Sequence, residues 1–176
     1  VSQISEQRSK DYVDYSGVMQ LKLPAMKSLY QWFSEQKSTT AKDINKAFKQ
    51  FKLQGGDSLL QLALYDALHA HLYQQNSDYW GWPNWPEQYR DPASDAVMQF
   101  SKQHSAELDF YCYLQFIAQQ QLAQAQQVAK NAGMLLGLYR DLAVGVSEAS
   151  TEIWSNPQLY CRQASVGAPP DPLGPA

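Results

Sequence analysis

The sequence predicts a mainly α protein in which a helical region, residues 1–133, leads into one buried strand and a proline-rich loop, residues 134–176. Three observations carry this expectation. Apolar residues recur at helical spacing through most of the first region. Met134 to Val146 is an apolar run rich in Leu and Val, whose only charges are the adjacent Arg140 and Asp141. Such a run suits a strand buried on both faces, with the charged pair marking its end. The chain then closes in Gly167-Ala-Pro-Pro-Asp-Pro-Leu-Gly174, where proline removes backbone donors and keeps the backbone out of regular structure.

Taken in order, residues 1–10 are polar and expected to fray. Asp11 to Leu23 leads into a helix that starts or breaks near Pro24, with Met26, Leu29, Tyr30 and Phe33 recurring at helical spacing. Thr40 to Phe51 reads as an amphipathic surface helix, with Ile44, Ala47, Phe48 and Phe51 on one face and solvated lysines opposite. Gly55-Gly56 should end that helix. Asp57 can cap the next, which runs to about Tyr73 with Leu60, Leu64, Ala67, Leu68 and Leu72 inward.

Asp78 to Pro92 holds three of the five tryptophans, Trp80, Trp82 and Trp85, among Pro83, Pro86 and Pro92. That density of proline predicts a rigid, irregular aromatic loop. The tryptophans either offer platforms to the apolar faces of sugar rings or pin the loop to the core, and the packing reading is preferred. Ser94-Asp95 starts a short helix to about Gln103, and Ser105 can cap a long one reaching Ala132 and closed by Gly133. The first half of the long helix, Leu108 to Ala118, is apolar almost all round and should be central to the core. Its second half carries Gln119, Gln120, Gln121, Gln124, Gln126 and Gln127, an uncharged polar face. A helix, a glycine and then a buried strand form the usual return of a barrel or doubly wound unit.

Composition excludes several classes. A net charge of −3 with scattered Lys and Arg gives no field for nucleic acid. Two cysteines, Cys112 on a helix and Cys161 on a loop, make no disulfide framework, and a reduced, cytoplasmic setting is the default. No window has the apolar length of a membrane span, and the polar start is no secretory signal. His69 and His71 lie two apart on a helix, point to different faces and cannot share one metal. No metal and no organic cofactor is expected. Nucleotide, serine-hydrolase and zinc-protease motifs are absent. The first residue is Val and the last stretch stops without a capping element, so the chain looks like a piece of a longer one.

Asp141-Leu-Ala-Val-Gly-Val146, Ser150-Thr-Glu-Ile-Trp154 and Val166 to Gly174 together resemble the amylomaltases, the 4-alpha-glucanotransferases, and especially their longer bacterial branch. The Trp-Gly-Trp-Pro, Trp-Pro loop and the Asp-Tyr approach to the first long helix are similar as well. The resemblance implies that 134–146 is a strand of a larger (β/α)8 barrel, too large for 176 residues because such barrels take about 250. It also implies transfer of alpha-1,4-glucan segments between maltodextrins through a glycosyl-enzyme intermediate.

The resemblance further implies that Asp141 lies at the substrate end of the third barrel strand. Ser150, Glu152 and Trp154 would match the family's Ser-Ala-Glu-Val-Trp stretch just after it, with Ser150 and Trp154 as substrate-binding residues and Thr151 and Ile153 as departures from the family's pattern. Gly167 to Asp171 would begin a lid over bound glucan, with Asp171 as a binding carboxylate and Pro172-Leu173 where short-branch members have aromatics. The family's catalytic carboxylates match no residue here. Glu148 and Glu152 are read as solvated or capping groups, and the chain alone is expected to be inactive. The isolated strand lacks partners, so the chain should self-associate or keep that segment irregular. The rival readings are a non-catalytic helical module that binds maltodextrin or a protein, and a plain scaffold.

Overall fold

Among the described residues every regular element is helical. A computed structural model describes residues 2–36, 38–142, 145–164 and 167, and none of these lies in a strand. The helices are α1 (Ser2–Arg8), α2 (Tyr15–Glu35), α3 (Thr39–Gln75), α4 (Asp95–Gln103), α5 (Ser105–Asn131) and α6 (Thr151–Ser155), with short 3-10 turns at Trp82–Asn84, Glu87–Tyr89 and Pro157–Leu159. The chain divides into two compact units, Val1–Gln54 and Gly55–Ala176.

In the first unit the polar start forms α1 instead of fraying. Asp14 caps α2: its carboxylate accepts from the Gly17 N–H at 2.9 Å and from Lys10 Nζ at 2.6 Å. These bonds satisfy one of the free donors of the helix start and hold the Asp14 carboxyl below its usual range, the Lys10 bond contributing most. The helix runs through Pro24 without ending. The core of this unit is narrow, with Phe33 meeting Phe48 edge to face, ring centres 6.4 Å apart. Of the stripe expected between Ile44 and Phe51 only Phe48 is buried, and Ile44 is exposed.

In the second unit, α3 breaks its regular dihedrals at Gly56, with φ 52° and ψ −145°, a backbone region that only glycine enters without strain. Past the break the inward line is largely the expected one. Leu59, Ala63, Leu64, Ala67, Leu68 and Leu72 are buried, whereas Leu60, expected inward, is exposed. Ser94 caps α4 by accepting from the Val97 N–H at 3.3 Å. On α5 the residues Leu108, Phe110, Cys112 and Phe116 are buried and the glutamine-rich second half is mostly exposed, matching the two halves read from the sequence. Ser105 is the first helical residue of α5 rather than its cap. The helix closes through Gly133 at φ 91°, with Gly133 N–H donating to Lys130 O and Met134 N–H to Ala129 O. This pairing satisfies two of the free carbonyls at the helix end.

The strand expected over 134–146 does not form in its described part. Residues 134–142 are irregular, with Leu135, Tyr139 and Leu142 each more than four-fifths exposed. A strand is stabilised by a ladder and by burial of its faces, and the described residues supply neither.

Asp66, on α3, is a carboxyl whose environment works against its charge. Burial pushes its pKa up to about 6. Its charge also raises the pKa of Tyr111, which burial mainly drives to about 12. With its folded pKa above the unfolded 3.8, Asp66 favours folding only while protonated, and this contribution is lost as pH rises from 3.8 through about 6. Asp66→Asn should therefore raise the thermal midpoint at neutral pH and give no gain below pH 3.8. Paired melting curves across that range check the expectation.

Candidate functional site

The stretch from Ser147 to Ser155 carries two of the residues singled out from sequence, and aromatic side chains hold it. The buried Tyr65 hydroxyl donates to the Ala149 carbonyl. Trp82 Nε1 donates to the Glu148 carbonyl at 2.8 Å, and Trp154 Nε1 to the Tyr89 carbonyl at 3.1 Å. Each ring has an apolar body for the core and one polar atom that needs a partner, and irregular backbone supplies that partner. The Trp85 ring packs against Tyr65 and Trp154 at 5.0 and 5.9 Å between centres.

A second clasp lies outside this cluster. The Arg162 guanidinium bonds the Glu148 carboxylate at 2.9 Å and covers the Trp82 ring at 4.7 Å. Gly81 lets the loop approach closely, because a Cβ there would sit 2.8 Å from Ala149 Cβ. The Trp-rich loop thus packs as preferred from sequence for Trp82 and Trp85, both buried. Trp80 does not follow them and is 59% exposed.

The sequence-predicted site residues divide. Ser150 and Trp154 come together on α6. Ser150 caps it, its Oγ accepting from the Ile153 N–H at 3.4 Å. Trp154 is fully buried, and its N–H is engaged by Tyr89. Both residues hold the stretch in place. Asp141 is exposed on the irregular segment before it, and no hydrogen bond or ion pair among the described residues engages it. Asp171 and the loop from 168 onward lie outside the described residues. Glu148 is an exposed carboxylate paired with Arg162, and Glu152 is exposed in the first turn of α6.

Sequence reasoning missed what positions the segment bearing Asp141. The Gln126 side chain donates from Nε2 to Leu136 O at 3.1 Å and accepts at Oε1 from the Leu138 N–H. One amide gives this backbone the donor and acceptor that a neighbouring strand would give. The glutamine face of α5 was visible as a pattern, but its target was not. Gly137 at φ 75° brings the two together, and a Cβ there would meet Gln126 Oε1 at 2.5 Å.

Among the described residues no group of three or more His, Cys, Asp or Glu is placed to hold a metal. His69 stacks between Tyr65 and Tyr73, while His71 faces Phe100 and His104, so the two rings do look to different neighbours. Among the described residues no helix is long and apolar enough to cross a membrane.

The sequence matches the 4-alpha-glucanotransferase family, glycoside hydrolase family 77, over residues 1–176. The chain belongs to the 4-alpha-glucanotransferase family. It is 36% identical to a 4-alpha-glucanotransferase of Haemophilus influenzae over 99% of this chain and 25% of that protein. It is 35% identical to the Mycobacterium tuberculosis 4-alpha-glucanotransferase over 71% of this chain and 16% of that protein. A 4-alpha-glucanotransferase of Chlamydia pneumoniae is 26% identical over 90% of this chain. The chain thus spans about a quarter of the Haemophilus 4-alpha-glucanotransferase.

Two outcomes test the geometry. Trp82→Ala should destabilise the fold by about 3–5 kcal/mol, because a large buried ring and its bond to Glu148 are lost. Trp80→Ala should stay within about 0.5 kcal/mol, and denaturant titration of both variants measures the contrast. Gln126→Ala should speed amide exchange at Leu138 while leaving the buried half of α5 protected. Hydrogen exchange with Gln124→Ala as the control reads this.

Proposed function

We propose that this chain is the glucan-contacting helical part of a longer 4-alpha-glucanotransferase. That enzyme cuts an alpha-1,4 bond, holds the glucan segment as a glycosyl-enzyme intermediate and passes it to another maltodextrin with retention of configuration. The observation that carries the reading is the family match along the whole chain, joined to relatives of which it spans a quarter or so. Retention needs two carboxyl groups facing the scissile bond at roughly 5–5.5 Å. The family's pair matches no residue here, so the chain alone does not turn over maltodextrin.

Asp141 and Asp171 are the substrate contacts in this reading. An exposed carboxylate on a segment held by one glutamine is free to accept from sugar hydroxyls, which supports the role of Asp141. Ser150 and Trp154 contribute by fixing the stretch that follows it. Met134 to Val146 becomes a barrel strand when flanking strands complete its ladder, which gives the division at 133/134 its meaning. Without them its exposed leucines favour self-association of the isolated chain. The enzyme works in the cytoplasm, without metal or organic cofactor.

In the longer enzyme, Asp141→Ala and Asp171→Ala should each lower turnover of maltotriose about ten- to a hundredfold, because a hydrogen bond to a charged group contributes about 1.5–3 kcal/mol. Purified 1–176 should release no glucose above a blank. Near wild-type turnover in both variants, with maltodextrin binding lost in Trp80→Ala, would replace this reading with the non-catalytic sugar-binding module.

A further inference from the structure

A single residue joins α4 to α5, and it is a histidine. His104 leaves helical geometry at φ −113° and ψ 30° and serves both helices. Its N–H donates to Phe100 O at 2.9 Å, and its carbonyl accepts from the Glu107 and Leu108 N–H groups at 3.0 and 3.1 Å. The imidazole takes no part in this capping. It stacks instead on Phe100, centres 4.1 Å and planes 16° apart, and meets His71 of α3 at 5.1 Å between centres. His71 tilts over the same phenyl ring at 5.2 Å. Two imidazoles, one from α3 and one from the elbow, thus hold the buried Phe100.

That grip depends on the charge of the two rings. Neutral imidazoles pack on a phenyl ring as flat aromatic groups, whereas two imidazolium ions this close repel each other. The Glu107 carboxylate, in the first turn of α5, lies 3.8 Å from His104 Nδ1 and can compensate one positive charge. On α3 the polar neighbour of His71 is the uncharged Gln75 amide, 2.8 Å from its Nε2. Among the described residues His104 and Glu107 are the charged groups that act on His71, while Asp66 acts on Tyr65 and Tyr111. The helix ends cancel at the elbow, since the C-terminus of α4 favours a cation there and the N-terminus of α5 opposes it.

Burial and then the nearness of His104 lower the His71 pKa below 6.5, with Glu107 opposing. A folded pKa below the unfolded one leaves stability intact above pH 6.5 and removes it as pH falls through the folded value. Asp66 has the opposite sign, because protonation favours its folded form, so it cannot loosen the elbow in acid.

We propose that His71 and His104 form a proton-operated latch, which holds the α4–α5 elbow on α3 while the rings are neutral and releases it when both are charged. The buried residues of α4 are Val97 and Phe100, and a nine-residue helix does not persist without such packing. The cap of α4, Ser94, donates to Gln88 O at 2.6 Å, in the same turn as Tyr89, whose carbonyl accepts from the Trp154 indole. Release therefore reaches the backbone that fixes α6. The latch is a property of these helices and does not depend on the transfer reaction.

Native-state hydrogen exchange on the isotope-labelled 1–176 chain tests the latch, with protection factors corrected for the intrinsic effect of pH on exchange. Between about pH 8 and about pH 5, where histidine changes charge, protection at residues 97–108 should fall about two- to fivefold further than at 63–68 and 112–116. His71→Gln and His104→Gln should each abolish that difference. His69→Gln should keep it, because His69 stacks between Tyr65 and Tyr73, away from the elbow. Imidazole resonances give a second reading, in which the His71 midpoint rises in His104→Gln. The His104 side chain is 29% exposed and its capping is done by backbone, so this variant carries the test if His71→Gln fails to fold. An equal fall in His104→Gln, a loss of protection spread evenly over the second unit, or an unchanged elbow at about pH 5 would each overturn the latch.

Discussion

The hydrogen bond from Tyr65 to the Ala149 carbonyl joins groups 84 residues apart, and the second unit is built around it. Burial raises the pKa of this phenol, so its hydroxyl keeps its proton and remains a donor. Around the bond stand Trp85 and Trp154, the largest fully buried side chains. The backbone they enclose has little order of its own, since α6 is a five-residue helix, far too short to persist alone. Aromatic rings replace the missing ladder: Tyr65, Trp82 and Trp154 each bond a backbone carbonyl, and Trp85 contributes by packing.

What the sequence discloses follows from the range of the forces involved. Helix starts and stops at Ser94, Gly56 and Gly133 are local, set by one side chain or one backbone angle, and they stand where the pattern puts them. The inward face after Gly56 is the expected one at Leu64, Ala67, Leu68 and Leu72 and departs from it only at Leu60. The partners of Tyr65, Trp82 and Gln126 are long-range or lie on irregular backbone, and no local rule names a carbonyl as the target of an indole. Trp154 illustrates the gap. Family pattern marks it as part of a substrate stretch, while its buried ring and bond to Tyr89 are visible only in three dimensions.

The apolar run at 134–142 is the other lesson. Its composition describes a strand, yet the described backbone is irregular, because strand formation is a property of pairs and layers. Gln126 partly compensates by pairing with two backbone groups, and the remaining apolar side chains stay in solvent. Read with the family relationship, the run is a segment whose sequence is suited to neighbours it does not have within these residues.

The two cysteines differ in a way that makes the chain its own reporter. Cys112 is fully buried on α5, while Cys161 is exposed and immediately precedes Arg162, the residue laid over Trp82. A thiol-directed fluorophore therefore attaches at one place without any engineered cysteine. Quenching by the neighbouring indole would follow the opening and closing of the arginine clasp in real time.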